Sequence, residues 1–383
     1  MRKMIWRITS LRKKMTKLLL VSGLVLVGII VVALVYRVLR QHHNAAALVI
    51  NTPNGIREEM FIQVGGIEQW VQIRGEDRGN PVLMFLHGGP GFSCLALTPV
   101  FRRWEKYFTV LYCTLRLFSG DQRGAGKTYG RNGGIGNGTL TIDRMTQDGI
   151  EVAEFVRKHL NKDKVILFAH SWGTVLGLPM VSHRPDLFYA YAGTGQVVNM
   201  ERNEAVSYQL IRQRIVVSGD QRTIRALDEI GPPPYEDVKT WMMKGRLIVM
   251  NSPPPTAGHD LPDVFSLALF SPNYSLKDAY HLFSAVNYSC STLYAEMMSN
   301  DARRLGTTFE APIFILQGDS DFQSPTALVT EYFSTIQAPK KELVLLKGEG
   351  HTAVLSNPDL FLDELVSRVR LLGVQLDPTA TKP

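Results

Sequence analysis

The sequence predicts an α/β fold with a mostly parallel central sheet, helices on both faces and an inserted helical cap. Short apolar runs rich in β-branched and aromatic residues, such as residues 82–86, 165–168 and 343–346, alternate with stretches whose apolar residues recur at helical spacing. This alternation is typical of parallel sheets, because a helix usually connects one strand to the next. A chain of 383 residues is long enough for one such domain of about 250 to 300 residues and an appendage.

The N-terminal region differs from the rest of the chain in charge. Residues 1–43 hold nine basic side chains and no acidic one, whereas the remainder holds 33 Lys and Arg against 35 Asp and Glu. The net charge of +7 is therefore concentrated near the N-terminus, and the body has no basic surplus that would indicate nucleic-acid binding. Three cysteines, Cys94, Cys113 and Cys290, are too few and too scattered for a disulfide framework.

Residues 18–36 predict a transmembrane helix. These 19 residues carry no charge, and at 1.5 Å per residue they span about 28 Å, close to the thickness of a bilayer core. A cleaved signal peptide is the alternative, but its apolar core is about 7 to 15 residues long and a small-residue cleavage site follows it. Residues 37–40 offer no such site. Seven of the nine basic residues precede the helix, which predicts a cytoplasmic N-terminus and an extracytoplasmic body in a periplasm, a lumen or the exterior.

The elements of the body follow in order. Two alternating apolar runs flank a Gly-Gly pair and predict an antiparallel hairpin over residues 60–74. Residues 142–160 predict an amphipathic helix that leads into the strand at 165–168. Residues 199–304 hold long helical patterns and two proline-rich breaks but no clear buried strand, which predicts the cap. The predicted divisions are 1–43 for the basic N-terminus and anchor, 44–59 for a linker, 60–198 and 305–375 for the two parts of the core, 199–304 for the cap and 376–383 for a tail.

Two late apolar runs, 313–316 and 343–346, predict further strands, and residues 358–372 predict the last helix. The glycine-rich stretch 130–138 does not follow a strand, and we interpret it as a loop. Pro179 predicts a kink or an end in the helix that contains it.

The strand at 165–168 runs into Ala169-His170-Ser171-Trp172-Gly173. Small residues two before and two after a serine allow the backbone to double back into a helix, and this turn holds the serine oxygen in a cleft. The same pattern also fits a strand followed by a serine-capped helix. Ser171 is therefore a candidate nucleophile whose role depends on the rest of the chain.

Two later strands end in the residues that a serine nucleophile needs. Residues 313–316 lead to Gly318-Asp319-Ser320-Asp321, and 343–346 lead to Gly348-Glu349-Gly350-His351. The carboxyl ends of parallel strands meet at one edge of the sheet. The chain order Ser, Asp, His is the order of an α/β-hydrolase, with Ser171 as nucleophile, His351 as base and Asp321 as the carboxylate that orients it. The usual loop places this acid three residues after its glycine, which favours Asp321 over Asp319.

His87-Gly88-Gly89-Pro90-Gly91 follows the strand at 82–86 and predicts an oxyanion hole. Glycines leave backbone N–H groups open to a substrate, so the N–H of Gly88 or Gly89 would join that of Trp172 in holding the oxyanion.

Three motifs together carry a resemblance to a known family. His87-Gly88-Gly89-Pro90-Gly91, the run from Asp121-Gln122-Arg123-Gly124 to Lys127, and Ala169-His170-Ser171-Trp172-Gly173 resemble the prolyl iminopeptidase branch of the α/β-hydrolases, peptidases that remove N-terminal proline. The resemblance is close over residues 82–187 and extends to the Asp321 and His351 loops. It implies a helical cap between sheet strands and no metal or cofactor. It also implies that acidic cap residues bind the free amino group of the substrate, for which Glu201, Glu204 and Glu296 are candidates by location.

One departure from the family lies in residues 113–120. The family runs from a strand directly into the Asp-Gln-Arg-Gly motif, whereas here eight residues intervene near the rim of the cleft. We therefore expect a membrane-anchored serine hydrolase, an aminopeptidase releasing N-terminal proline or another small residue, with a small peptide or small-molecule acyl substrate. An esterase or amidase shares every residue named above and stays open as an alternative. A non-catalytic binding protein whose cleft the insertion blocks is a third reading.

Overall fold

The computed structural model describes residues 2–86, 88–91, 97–112, 123–136, 138–252 and 263–376. Within them the chain forms one sheet of eight strands. In chain order the strands are β1 Ile56–Val64, β2 Ile67–Gly75, β3 Val82–Leu86, β4 Thr109–Tyr112, β5 Val165–His170, β6 Phe188–Thr194, β7 Ile313–Gly318 and β8 Lys341–Leu346. Their order across the sheet is β1-β2-β4-β3-β5-β6-β7-β8.

Most of the sheet is parallel. The hairpin of β1 and β2 and the pair β2 and β4 are antiparallel, and the other neighbouring pairs are parallel. Every residue of β3 and β5 is buried, as expected of strands covered on both faces. Alternate residues enter opposite layers of the core: Leu83 and Phe85 lie in one apolar cluster, Met84 and Leu86 in the other. The predicted fold class is confirmed.

Helices cover both faces and form the cap. They are α1 Arg2–Ala47, α2 Gly126–Gly136, α3 Ile142–His159, α4 Trp172–His183, α5 Met200–Ser218, α6 Gln221–Ile230, α7 Val238–Asn251, α8 Val264–Leu269, α9 Leu276–Met298, α10 Thr326–Thr335, α11 Ala353–Ser356, α12 Pro358–Leu365 and α13 Leu371–Leu376. A π-helical turn, Val366–Arg370, joins α12 to α13.

Three local features differ from the sequence predictions. The strand β6 was not predicted, because its sequence Phe-Tyr-Ala-Tyr-Ala-Gly-Thr lacks a run of large aliphatic residues. Pro179 does not end α4, which continues to His183. The glycine-rich stretch 130–138 is helical up to Gly136, with a break at Gly133. The glycines allow α2 to approach the cap closely, since a Cβ on Gly130 would lie 3.2 Å from the ring of His281.

Helices α5 to α9 form the cap over the carboxyl ends of the strands. The chain enters and leaves the cap side by side, because Asn199 and Asp301 form an isolated antiparallel bridge. On either side of it the backbone N–H of Met200 donates to Asn300 (3.0 Å) and that of Ala302 donates to Val198 (2.7 Å). The cap is therefore a single insertion between β6 and β7.

Helix α1 contains the apolar stretch 18–36. Among the described residues it is the one helix long and apolar enough to cross a membrane. It continues to Ala47, so the first residues of the expected linker 44–59 are helical and residues 48–55 lead to β1. The end of α1 is tied to the core, because the buried guanidinium of Arg74 donates to the carbonyl oxygen of Leu48 (2.6 Å).

Candidate active site

Ser171 occupies a sharp turn between β5 and α4. Its backbone has φ 53° and ψ −122°, a left-handed conformation that is uncommon for a residue with a side chain. Its N–H donates to the carbonyl oxygen of Thr194 on β6 (2.9 Å). The hydroxyl of Thr174 donates to the Ser171 carbonyl oxygen (2.6 Å). These bonds fix the strained turn, and Ser171 lines a cavity together with residues of the cap.

His351 and Asp321 lie next to this hydroxyl. The Nε2 atom of His351 is 2.8 Å from Ser171 Oγ, and its Nδ1 atom is 2.9 Å from Oδ2 and 3.1 Å from Oδ1 of Asp321. A carboxylate can only accept from Nδ1–H, so in the neutral imidazole Nε2 is free to accept the serine proton. The structure thus brings together the three residues that the strand ends predicted, in one chain of hydrogen bonds.

Backbone groups hold the Asp321 carboxylate. Its Oδ1 atom accepts from the N–H groups of Gln323 (2.8 Å) and Ser324 (2.7 Å), and its Oδ2 atom accepts from the side chain of Gln317 (3.0 Å). Asp319 is exposed and accepts instead from the N–H of Gly348 (2.8 Å), linking the two loops that carry the site. The geometry therefore places Asp321, and not Asp319, against the imidazole.

His170 holds the backbone of His351 in place, and it was not identified from the sequence as a site residue. It is buried, and its Nε2–H donates to the backbone carbonyl oxygen of His351 (2.9 Å). Burial, together with the neighbouring His351, lowers the pKa of His170 from 6.5 to about 3. His170 is therefore neutral at neutral pH and acts as a fixed hydrogen-bond donor.

Gly195 makes room for the imidazole and was also missed. It follows β6 with φ +56°, and a Cβ there would lie 2.9 Å from Cε1 and 3.1 Å from Nδ1 of His351. The signal for it was the glycine directly after a strand, but β6 itself was not recognised.

The predicted oxyanion loop lies beside the serine. His87 lies outside the described residues, but Gly88 is so close that a Cβ on it would lie 3.0 Å from Ser171 Cβ. Gly89 and Trp172 line the same cavity as Ser171. The N–H of Trp172 is at the first position of α4, where a helix has no internal acceptor for it. A Cβ on Gly91 would collide with the backbone of Ala285 and Val286, so this loop is packed directly under α9.

The cavity in front of Ser171 is small and roofed by the cap. Its volume is about 60 Å³. Residues of the core and of the cap line it together: Gly89, Ser171, Trp172, Val175, Val197, Met200, Asn203, Glu204, Trp241, Lys244, Gly245, Met297, Gln323 and Ser324.

Of the three acidic cap residues predicted to bind substrate, the structure brings Glu204 to this cavity. Glu201 is exposed and lines a neighbouring cavity of about 290 Å³, which Glu204 also lines. Glu296 lines a third cavity of about 310 Å³ between the cap and the helices α3 and α4. Neither lines the cavity that holds Ser171.

Glu204 already has a cationic partner. It is 4% exposed, it accepts from Trp241 Nε1 (3.2 Å), and it forms an ion pair with Lys244. Lys244 is 2% exposed, and burial lowers its pKa while Glu204 opposes this shift. The cavity therefore holds one negative and one positive group in contact.

The remaining motif residues have a structural role or lie outside the described range. Arg123 of the Asp-Gln-Arg-Gly motif is buried, pairs with Asp148 on α3 (3.0 Å) and donates to the carbonyl oxygen of Gly65 in the hairpin turn (2.5 Å). Residues 113–122, with the insertion, lie outside the described residues. Across the part of the chain that is described, no three His, Cys, Asp or Glu side chains are grouped to hold a metal ion.

Known proteins resemble this chain in fold and sequence. A family model described as alpha/beta hydrolase fold matches residues 81–229. The Bacillus subtilis protein named "Probable aminopeptidase YbaC" is 29% identical over 313 residues, 81% of this chain and 95% of that protein. A proline iminopeptidase from Heyndrickxia coagulans is 31% identical over 128 residues, 33% of this chain and 39% of that protein.

The fold also matches solved structures. The crystal structure of a proline iminopeptidase-related protein from Thermus thermophilus superposes with a TM-score of 0.52 at 17% identity, over 83% of this chain and 98% of that one. Thus the chain spans nearly the whole Bacillus relative, but only about four tenths of the Heyndrickxia proline iminopeptidase. Together with the sheet order and the placement of the serine turn, these matches show that the chain has the α/β-hydrolase fold and that its sequence is similar to proteins named as aminopeptidases and proline iminopeptidases.

Proposed function

We propose that the protein is a membrane-anchored serine hydrolase that forms an acyl-enzyme on Ser171, and that it is an aminopeptidase releasing N-terminal proline or another small residue. The observation that carries the serine mechanism is the hydrogen-bond chain from Ser171 Oγ through His351 to Asp321. A serine hydroxyl becomes an effective nucleophile when a neighbouring imidazole takes its proton during the attack.

The first half of the reaction builds the acyl-enzyme. Ser171 Oγ attacks the substrate carbonyl carbon while its proton moves to His351 Nε2, and Asp321 stabilises the imidazolium. The carbonyl oxygen becomes an oxyanion that the N–H of Trp172 and an N–H of the Gly88-Gly89 loop hold. One such donor stabilises the transition state by about 2.7 to 4 kcal/mol. His351 then returns the proton to the leaving amine as the C–N bond breaks.

The second half repeats these steps with water. His351 takes a proton from the water that attacks the acyl carbon, and it returns a proton to Ser171 Oγ as the ester bond breaks.

The aminopeptidase assignment has two supports. The Bacillus relative that matches most of the chain is named as an aminopeptidase. Glu204 places a carboxylate in the cavity of Ser171, where it can bind the ammonium group of a substrate with a free N-terminus.

A fluorophosphonate probe, which phosphonylates activated serines, tests the serine mechanism. We expect the full chain to be labelled, Ser171→Ala to lose labelling, and the exposed Ser334→Ala, on α10, to keep it. Absence of labelling in folded wild-type protein would overturn the proposal and would support the reading as a non-catalytic binding protein.

Substrate comparison tests the aminopeptidase assignment. We expect hydrolysis of proline β-naphthylamide and little hydrolysis of its N-acetyl derivative, because acetylation removes the ammonium group that Glu204 would bind. A short-chain p-nitrophenyl ester serves as the third substrate. Equal rates on the free and acetylated amides would exclude recognition of a free N-terminus.

An esterase or amidase acting on a non-peptide substrate is the second candidate. The ion pair between Glu204 and Lys244 favours it, because a neutralised carboxylate attracts an ammonium group only weakly. If the protein is such an esterase or amidase, we expect it to hydrolyse the p-nitrophenyl ester and the acetylated amide faster than proline β-naphthylamide.

The anchoring proposal concerns α1. Its apolar stretch would span the bilayer with the N-terminus in the cytoplasm, because seven basic residues precede it. Protease protection in sealed vesicles tests this orientation. Digestion of the body by protease added on the cytoplasmic side would contradict it.

A further inference from the structure

The C-terminal part of α1 is docked on the cap. Three of its polar side chains lie one or two turns apart, on one face of the helix. They donate hydrogen bonds of 2.6 to 3.0 Å to backbone carbonyl oxygens of the connection between α8 and α9: Arg37 to Leu269 and Tyr274, Gln41 to Ser271 and Tyr274, Asn44 to Phe270. Phe270 also lies edge-on to Tyr36, and the Arg40 guanidinium lies over its ring (5.6 Å).

These contacts fix the depth of the cap relative to the apolar stretch. Arg37 is the first charged residue after residues 18–36, whose large side chains are exposed along the whole stretch. If residues 18–36 span the hydrocarbon core, Arg37 marks its boundary with the headgroups. The headgroup region on each side of a bilayer is about 5 to 8 Å thick. The carbonyl oxygens that Arg37 binds therefore lie at this boundary.

The cap presents exposed apolar side chains that are close in sequence to these carbonyl oxygens. Phe265 on α8 is 60% exposed, and Leu276 and Tyr280 on α9 are 50% and 70% exposed. Leu276 is two residues beyond Tyr274, and Tyr280 lies one turn further on the same face of α9. We call these three residues the apolar edge of the cap. Tyrosine side chains such as that of Tyr280 are enriched at membrane interfaces.

A basic residue next to this edge also suits a lipid surface. Lys277 lies exposed between Leu276 and Tyr280. The neighbouring carboxylate of Asp278 is engaged within the protein, since it accepts from the backbone N–H and the hydroxyl of Ser275 (2.9 and 2.7 Å) in the capping box of α9. Basic groups beside exposed apolar side chains bind anionic headgroups.

We infer that the apolar edge of the cap lies in the headgroup region of the bilayer that holds α1, so that the cap over Ser171 rests on the membrane. This inference depends on the proposed anchoring by α1 but not on the proposed hydrolysis. It assigns a lipid surface as the partner of the α8–α9 region.

Photolabelling of the full chain tests this placement without any substitution. The wild-type protein is reconstituted into vesicles of phosphatidylcholine and phosphatidylglycerol with a phospholipid that carries a carbene precursor near the headgroup end of its acyl chain. We expect labels on α1 and on the apolar edge, and background labelling of Val217, which is 88% exposed on α5. Labels on α1 without labels on the edge would overturn the inference and leave the anchoring intact. Labels on neither would overturn both.

A matched pair of single-cysteine variants gives a second readout. Phe265→Cys and Val217→Cys, each made after replacing the three native cysteines by alanine, are labelled with the fluorophore NBD. We expect the probe at position 265 to be protected from aqueous iodide and blue-shifted in vesicles, and the probe at position 217 to be quenched as in solution. Equal quenching at both positions, in protein that folds and resides in vesicles, would contradict the inference.

Discussion

The edge of the sheet where the carboxyl ends of the parallel strands meet, which we call the rim, encloses the same cavity as the cap. The two regions hold their side chains differently. At the rim, backbone groups do most of the positioning. Asp321 accepts from the N–H groups of Gln323 and Ser324, and the backbone of His351 accepts from His170. Backbone groups keep their place when neighbouring side chains are exchanged, so the rim preserves one chemical arrangement.

In the cap, side chains of one helix hold those of another. Glu204 on α5 is bound by Trp241 and Lys244 on α7, and within the described part of the chain no backbone group donates to its carboxylate. Such contacts are lost when any one of these three side chains is replaced. From this difference we expect the core to determine the reaction and the cap to determine which substrate reaches Ser171.

The largest effect should come from the carboxylate at the rim. We expect Asp321→Asn to lower kcat by on the order of 10⁴-fold, because the amide no longer fixes the tautomer or stabilises the imidazolium. Asp319→Asn is the matched control, since Asp319 bonds to Gly348 and Ser320 rather than to His351. Steady-state kinetics on a substrate that the wild-type enzyme hydrolyses measures both. A comparable loss in both variants would mean that the loop as a whole, and not the Asp321 carboxylate, matters.

The next effect concerns the ion pair in the cap. We expect Lys244→Met to lower the free energy of unfolding by about 3 to 5 kcal/mol, because it leaves the buried Glu204 carboxylate without a cation. The double variant Glu204→Leu/Lys244→Met should regain most of this loss. Urea unfolding of the full chain in detergent measures both. If the double variant also hydrolyses proline β-naphthylamide as well as the wild type does, Glu204 does not bind the substrate ammonium group.

Substitution of two glycines with left-handed backbones, one in each region, allows the rim and the cap to be compared directly. Gly195 at the rim has φ +56° and Gly219 at the end of α5 has φ +71°. Alanine at either position costs about 1 to 2 kcal/mol of backbone strain. Only at Gly195 would the new Cβ press on the imidazole of His351 (2.9 Å), and we expect a loss of about 10²-fold in kcat/KM there. Gly219→Ala should retain activity, since a Cβ placed there would meet no described atom within 4 Å. An active Gly195→Ala enzyme would show that the rim tolerates displacement.

The smallest effect is a pH dependence of stability from His170. Its pKa is about 3 in the folded chain, whereas a histidine in the unfolded chain titrates near about 6.5. Between these values the unfolded state binds more protons, so the free energy of unfolding falls as pH falls below about 6.5, by up to about 1.4 kcal/mol per pH unit. His170→Asn should flatten this slope, while the carboxylates contribute equally to both proteins. Identical slopes in urea unfolding from pH 4.5 to 7 would show that His170 is not the group responsible.

Much of the rim could be predicted because local sequence determines it. Buried strands are recognisable as apolar runs, and parallel strands bring their carboxyl ends to one edge, so Ser171, Asp321 and His351 could be grouped without knowledge of their contacts. The strand β6, and with it Gly195, escaped because alanines and tyrosines give no clear strand pattern. The continuation of α4 beyond Pro179 was not predicted for a different reason: packing around a helix can override the local preference of a proline.

The orientation of the cap residues could not be predicted from the sequence. Glu201, Glu204 and Glu296 all lie on predicted helices of the cap, and nothing in their spacing distinguishes them. Which of them faces Ser171 depends on how α5 and α9 are rotated and tilted over the sheet, and side-chain packing between distant segments sets this.

The sequence by itself determined the α/β architecture, the apolar N-terminal helix and the residues at the three strand ends, because each follows from local composition and the period of the chain. The tertiary structure alone decided that Glu204 meets Lys244 beside Ser171, that Gly195 makes room for His351, and that Arg37 is bonded to the cap. These contacts join residues 40 to more than 200 positions apart, and no local pattern encodes a contact between elements that meet only when the whole chain has packed.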